Sequence, residues 1–215
     1  MKNLLQPMEA ESIRAAVAEA EARSAGEIVP VLLSAADSYE VGYWKAAALG
    51  ALAAQLLALV WARGSAVWGS PLPWVIISGL AGGLASALAV LLVPRLRPWL
   101  AGREKVAERT AQRAREAFLA YELFKTRDRS GILICVFRLE RRVEVLADEG
   151  IHRVAPTGTW ASLAVATAST MRGDGTAAAL LAAVRRCGEI LAESGLGRRA
   201  DDSNELSDDV RGEFR

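Results

Sequence analysis

The chain has 215 residues, a formal net charge of +1 and 52% hydrophobic residues, enough for one domain of ordinary size beyond its most apolar part. The near-neutral balance supplies no basic face for nucleic acid, so no nucleic-acid partner is expected. Two cysteines in apolar surroundings, Cys135 and Cys187, and a single histidine, His152, argue against a disulfide framework and exclude a His-rich zinc site.

In chain order, Met1-Lys2-Asn3-Leu4-Leu5 lacks the apolar core of a secretory signal peptide. Met8 to Arg23 is rich in Ala and Glu and places Ile13, Val17 and Ala20 on one face, which predicts a helix stopped near Gly26. Glu27 to Ser34 reads as a strand. Pro30 within it cannot donate to a ladder, so it belongs at an edge, a bulge or a non-bonded position. A polar connection with Asp37, Ser38 and Glu40 follows.

Trp44 to Trp61 and Trp74 to Val93 are the stretches around which the chain is organised. Each approaches the roughly 20 apolar residues that cross a bilayer. The first holds only Lys45 near its edge and Gln55 inside, and the second has no charge. A soluble helix needs a wet face, and these have none. Arg95, Arg97, Arg103, Lys105 and Arg109 follow the second stretch, while the loop from Gly64 to Pro73 is uncharged. The positive-inside rule then puts both ends of the chain in the cytoplasm. Tryptophans 44, 61, 68, 74 and 99 fall near the expected interfaces. Gly79, Gly83 and Ala87, with Ala46, Gly50 and Ala54, form small-residue stripes. They suit packing of the spans on each other or a homodimer face through Gly79 and Gly83, the first being favoured.

Pro94 to Gly102 is a basic, Trp-containing connector suited to anionic headgroups. Glu104 to Lys125 has helical spacing, with Ala107, Ala111, Ala114, Phe118 and Tyr121 recurring. Ile132 to Phe137 is an almost continuous apolar run, as in a strand buried on both faces. Val143 to Ala147 alternates as another strand. Helices are expected over Thr159–Met171 and Thr176–Glu193, with Asp174 near the N-cap of the latter. The tail from Arg198 is polar and expected to be flexible.

The fold class is therefore α/β, a small mixed β-sheet flanked by helices and interrupted by a two-helix transmembrane hairpin. Residues 1–43 and 94–197 form one split domain, 44–93 the hairpin with spans near 44–62 and 74–93, and 198–215 the tail. If the first strand runs toward the bilayer, the second returns parallel to it and the third runs away. Glu27, Asp128 and Asp148 then gather at one sheet end, and Asp37 and Glu40 at the other.

Most catalytic signatures fail. There is no phosphate-binding GxxxxGK[ST] loop and no GxSxG elbow. Gly173-Asp174-Gly175-Thr176-Ala177-Ala178 fits GxGxxA by letter but follows a helix. No nucleophile–base pair can be named, so catalytic residues stay unknown. Carboxylates at strand ends can hold Ca²⁺ or Mg²⁺, and such an ion can polarise a phosphoryl group. As turn and cap residues they need no ion, and residue type alone favours that reading.

Thr126-Arg127-Asp128-Arg129-Ser130-Gly131-Ile132-Leu133-Ile134, followed by Glu140 to Ile151 with its Asp148-Glu149-Gly150, resembles the TPM domain. Ser24 to Val31, Asp37-Ser38-Tyr39-Glu40 and Asn204-Glu205-Leu206 with Asp208 match bacterial membrane members in which a two-span hairpin splits that domain. The resemblance implies a sheet flanked by helices. It also implies a divalent-ion association and, from a plant thylakoid relative described as an acid phosphatase linked to photosystem repair, hydrolase chemistry. The positions matching the acidic motifs are Asp148, Asp128, Glu27 and Asp37. The expected role is an interaction or scaffold function in membrane-protein maintenance, with lipid and membrane proteins as partners. The alternative is a divalent-cation-linked phosphatase.

Overall fold

The computed structural model describes residues 5–64, 70, 72–193 and 206–212. The chain divides into an α/β unit, residues 1–36 and 108–215, and a hairpin unit, residues 37–107.

The α/β unit is built on three strands, β1 (Glu27–Leu33), β2 (Gly131–Phe137) and β3 (Arg142–Ala147), in the order β1-β2-β3. β1 pairs parallel to β2, with Glu27 opposite Gly131, and β2 pairs antiparallel to β3, with Ile132 opposite Ala147. This is the topology expected from the chain order. β2 is central and buried along its whole length, which is why its sequence is apolar without alternation.

The pleat divides the apolar side chains between two layers. Ile28, Leu32, Ile132, Ile134 and Val136 face one core, which also contains residues of α1 (Pro7–Glu21), α7 (Thr159–Gly173) and α8 (Thr176–Glu193). Val29, Val31, Leu33, Leu133, Cys135 and Phe137 face the other, with Ala114 and Ala117 of α5 (Arg103–Ala120). Helices thus cover both faces of the sheet. Cys135 and Cys187 are free, lie in different layers, and are buried. Burial pushes both thiols well above their ordinary range.

β1 is an edge strand of this sheet, yet every residue in it is buried. The two cores take its side chains, and its outer edge is covered by a segment from the far end of the chain. Arg211 bridges Val31 in parallel, donating its N–H to Pro30 O at 2.9 Å and accepting from Leu32 N–H at 2.9 Å. Tyr121 donates its hydroxyl to Gly212 O at 2.7 Å, and the Arg211 guanidinium lies 4.7 Å from the Tyr121 ring centre. Pro30 therefore sits on the outward edge, where its carbonyl is used and its missing N–H leaves no gap in the ladder. Residues 206–212, expected as part of a flexible tail, are docked here; 198–205 and 213–215 lie outside the described residues.

Other differences are local. The long helix ends at Ala120, where Glu122 turns left-handed at φ 58, and a short 3-10 turn over Leu123–Lys125 follows. Asp148 opens a four-residue helix, α6 (Glu149–His152), too short for any periodicity to announce. Asp174 is the C-cap of α7, and Gly175, at φ 93, makes the turn into α8. Gly26 does not end α1; a Cβ there would meet the Leu191 side chain closer than 3.0 Å. His152 is exposed.

In the hairpin unit, α2 (Glu40–Gly64) and α3 (Leu72–Leu92) are long and apolar enough to cross a membrane. They pack against each other through the small residues. Gly82 lies against Ala54 and Gly50, Gly83 against Ala47 and Ala51, and Gly79 under the Gln55 side chain. Ser86 donates to the carbonyls of Gly82 and Gly83. These glycines are thus filled from within the chain. Only Gly42, Ala46, Gly79 and Val90 are buried in the two helices, and the large apolar side chains point outward. Most of the loop between them, Trp68 included, lies outside the described residues. A short helix, α4 (Leu96–Ala101), follows and packs against α2.

Candidate functional site: the carboxylate end of the sheet

One end of the sheet collects three of the four acidic positions singled out by sequence. Glu27 begins β1, Asp128 lies in the turn before β2, and Asp148 follows β3. Backbone hydrogen bonds tie them together: Glu27 N–H donates to Ser130 O at 3.1 Å, and Asp148 N–H to Gly131 O at 2.9 Å. The parallel–antiparallel register requires this convergence. Asp37 is not part of this backbone-bonded group. It belongs to the hairpin unit, and its Oδ1 accepts from the Ser38 N–H at 2.7 Å.

Asp148 is 6% exposed. Its Oδ1 accepts from the Glu149 N–H at 2.8 Å, which makes it the N-cap of α6. The Arg129 guanidinium closes on the same carboxylate. Nη2 donates to Oδ1 at 2.9 Å, and Nε lies 2.7 Å from Oδ2. Arg129 can reach because its backbone is left-handed, at φ 54, in a turn whose Arg129 N–H donates to Thr126 O. The Thr126 hydroxyl in turn accepts from Ser130 N–H at 3.0 Å. Gly150 N–H donates to Arg129 O at 3.0 Å, so the turn and α6 are fastened on each other.

Glu27 is 7% exposed, and its Oε2 accepts from the Leu206 N–H at 3.3 Å. The C-terminal segment therefore reaches this end of the sheet as well as the β1 edge. A cleft of about 450 Å³ lies along it, lined in part by Tyr121, Glu122, Lys125, Thr126, Leu206 and Arg211. Among the described residues, no group of three or more His, Cys, Asp or Glu is placed to hold a metal ion.

The sequence marks Asp148 but not its partner. Arg129 was readable as the third member of Arg127-Asp128-Arg129, but nothing local says that it faces Asp148. Because Asp148 is buried and Arg129 is half exposed, Arg129→Ala should leave a shielded charge without its cation. The expected loss is about 2 kcal/mol, below that of a fully buried pair because water screens the arginine side. Hydrogen exchange of β2 amides in the full chain would measure it; protection equal to wild type would show that the pair contributes nothing.

No family model matches the chain, and no curated protein matches it. Among solved structures, the BA42 protein from the psychrophilic bacterium Bizionia argentinensis, determined by NMR, is similar with a TM-score of 0.59 at 15% identity. The match covers 99% of this chain and 98% of that one. At that identity the likeness speaks for the mixed α/β fold alone.

Proposed function

We propose that the chain is a membrane-anchored protein in which the α2–α3 hairpin crosses a bacterial inner membrane and the α/β unit serves as a TPM-like interaction module on the cytoplasmic side. The observation that carries the reading is the surface of the hairpin. Its leucines and isoleucines, with Val41 and Val60, are exposed along the helices, and exposed tryptophans mark both ends of α2, Trp44 at 76% and Trp61 at 61%. At 1.5 Å per residue those two are about 26 Å apart, close to the roughly 30 Å of a bilayer core. Amphipathic rings prefer those depths.

An interaction role is favoured over hydrolysis because no nucleophile–base pair can be named, and because Asp148, one of the candidate ion ligands, is held as an arginine-paired helix cap. The interaction module accords with the resemblance of Thr126–Ile134 and Glu140–Ile151 to TPM sequences. The test uses the full chain in bacterial membranes. It should resist alkaline carbonate, and a cysteine replacing Ser70 should be labelled from outside while one replacing Ser207 is not. Release by carbonate, or the reverse labelling, would overturn the placement. Divalent-stimulated phosphate release that vanishes in Asp148→Asn with the fold intact would replace the interaction role by the hydrolase.

A further inference from the structure

We propose that the end of the hairpin where α4 packs against the start of α2 is a receptor for the phosphate of an anionic phospholipid; this rests on the membrane placement above. The central residue is Arg97. Its guanidinium lies 5.0 Å from the Tyr43 ring centre, and Nη2 donates to Leu91 O at 3.3 Å. The backbone of Arg97 is in turn fixed against α2, since Gly42 leaves room for it: a Cβ at Gly42 would stand 3.2 Å from Arg97 O. A cation held this way loses little freedom on binding an anion.

Arg97 is also incompletely satisfied. Its Nε is shielded from solvent and has no hydrogen-bond partner, and no carboxylate pairs with it among the described residues. Arg97 as a whole is only half-buried, and for a fixed guanidinium without a carboxylate partner a phosphate oxygen is the strongest-fitting acceptor.

The surroundings select a lipid as the source of that phosphate. Arg95 and Arg103 are exposed on either side along the chain, and Lys45 Nζ donates to Leu100 O at 3.1 Å. The cations of this segment, with Lys105, outnumber its carboxylates Asp37, Glu40 and Glu104. Trp44 and Trp99 are 76% and 79% exposed in the same unit. The apolar outer surface of α3 continues into this segment through Val93 and Leu96. A soluble phosphate gains nothing from two exposed indoles. A lipid headgroup brings its own apolar layer, in which the rings can lie.

The test is native mass spectrometry of the full chain released from mild detergent with equal phosphatidylglycerol and phosphatidylcholine. Wild type should retain the anionic lipid by about fivefold over the zwitterionic one, and Arg97→Gln should bring the ratio close to one. If Arg97→Gln fails to fold by circular dichroism, the Arg95→Gln/Arg103→Gln double variant should lower the ratio instead. Equal retention by wild type overturns the proposal, as does an unchanged ratio in a folded variant. Displacement of the lipid by excess inorganic phosphate overturns the lipid as ligand. A chain that resists carbonate but shows no lipid preference fails this inference alone, whereas carbonate release fails the membrane placement itself.

Discussion

Gly150→Ala is expected to destabilise the α/β unit by about 3 kcal/mol, at the upper end of what a forced extra carbon costs in a packed site. A Cβ at this position would lie closer than 3.0 Å to the carbonyl oxygens of both Asp128 and Arg129. Neither oxygen belongs to a flexible side chain. Both are backbone, and Arg129 O already accepts the Gly150 N–H at 3.0 Å. Relief requires moving the turn away from α6. That motion pulls the Arg129 guanidinium off Asp148 and exposes the cap of α6. The steric cost and the loss of the pair therefore arrive together, and the double variant with Arg129→Ala should cost less than the sum of the singles. Gly173→Ala is the control: nothing lies within 4 Å of a Cβ there, and the residue ends α7. It should be neutral or stabilising by up to about 1 kcal/mol. Denaturant unfolding of the full chain, followed by β2 amide exchange, measures both. Similar stabilities for the two alanine variants would show that the Gly150 contact is soft.

The strands and their order were legible because each is set by local pattern. Ile132 to Phe137 is apolar at every position and occupies the central strand, where both faces are covered. The parallel return of β2 followed from reading β1 as leading into the hairpin and the long helix as leading back out, so that β2 repeats the direction of β1. That alone was enough to put Glu27, Asp128 and Asp148 at one end. What stayed hidden depends on contacts across long sequence distance. Leu206-Ser207-Asp208-Asp209-Val210-Arg211 reads as a solvated tail because its polarity is all that a local window sees. It docks because β1 presents unpaired backbone groups at its edge, and because Leu206 and Val210 pack against the cores and Arg211 lies over Tyr121. The partner of Asp148 was hidden for a related reason. A carboxylate after a strand is equally suited to a cap, an ion pair or an ion ligand, and only the left-handed backbone of Arg129 decides which group reaches it first.

Gly82→Leu is expected to separate α2 from α3 and to lower the stability of the hairpin in detergent by about 3 kcal/mol. The contact is close on both sides. A Cβ at Gly82 would stand closer than 3.0 Å to the Ala54 side chain and to Gly50 O, and a Cβ at Gly50 would meet Gly82 O and Ser86 in return. In an apolar solvent the helices gain nothing by hiding leucines from it, so their association depends on this closeness and on the contacts it allows. A leucine cannot be accommodated by rotating α3, because that would turn Gly79 from under Gln55 and bury its bulkier neighbours against α2. Leu84→Ala is the matched control, on the same helix but 73% exposed, and should change stability by no more than about 0.5 kcal/mol. Thermal unfolding in detergent micelles, read by circular dichroism, separates the two. A Gly82→Leu chain that melts with wild type but changes oligomeric state would move the small-residue stripe from the inside of one hairpin to an interface between copies, because the extra side chain would then obstruct a neighbour and not α2.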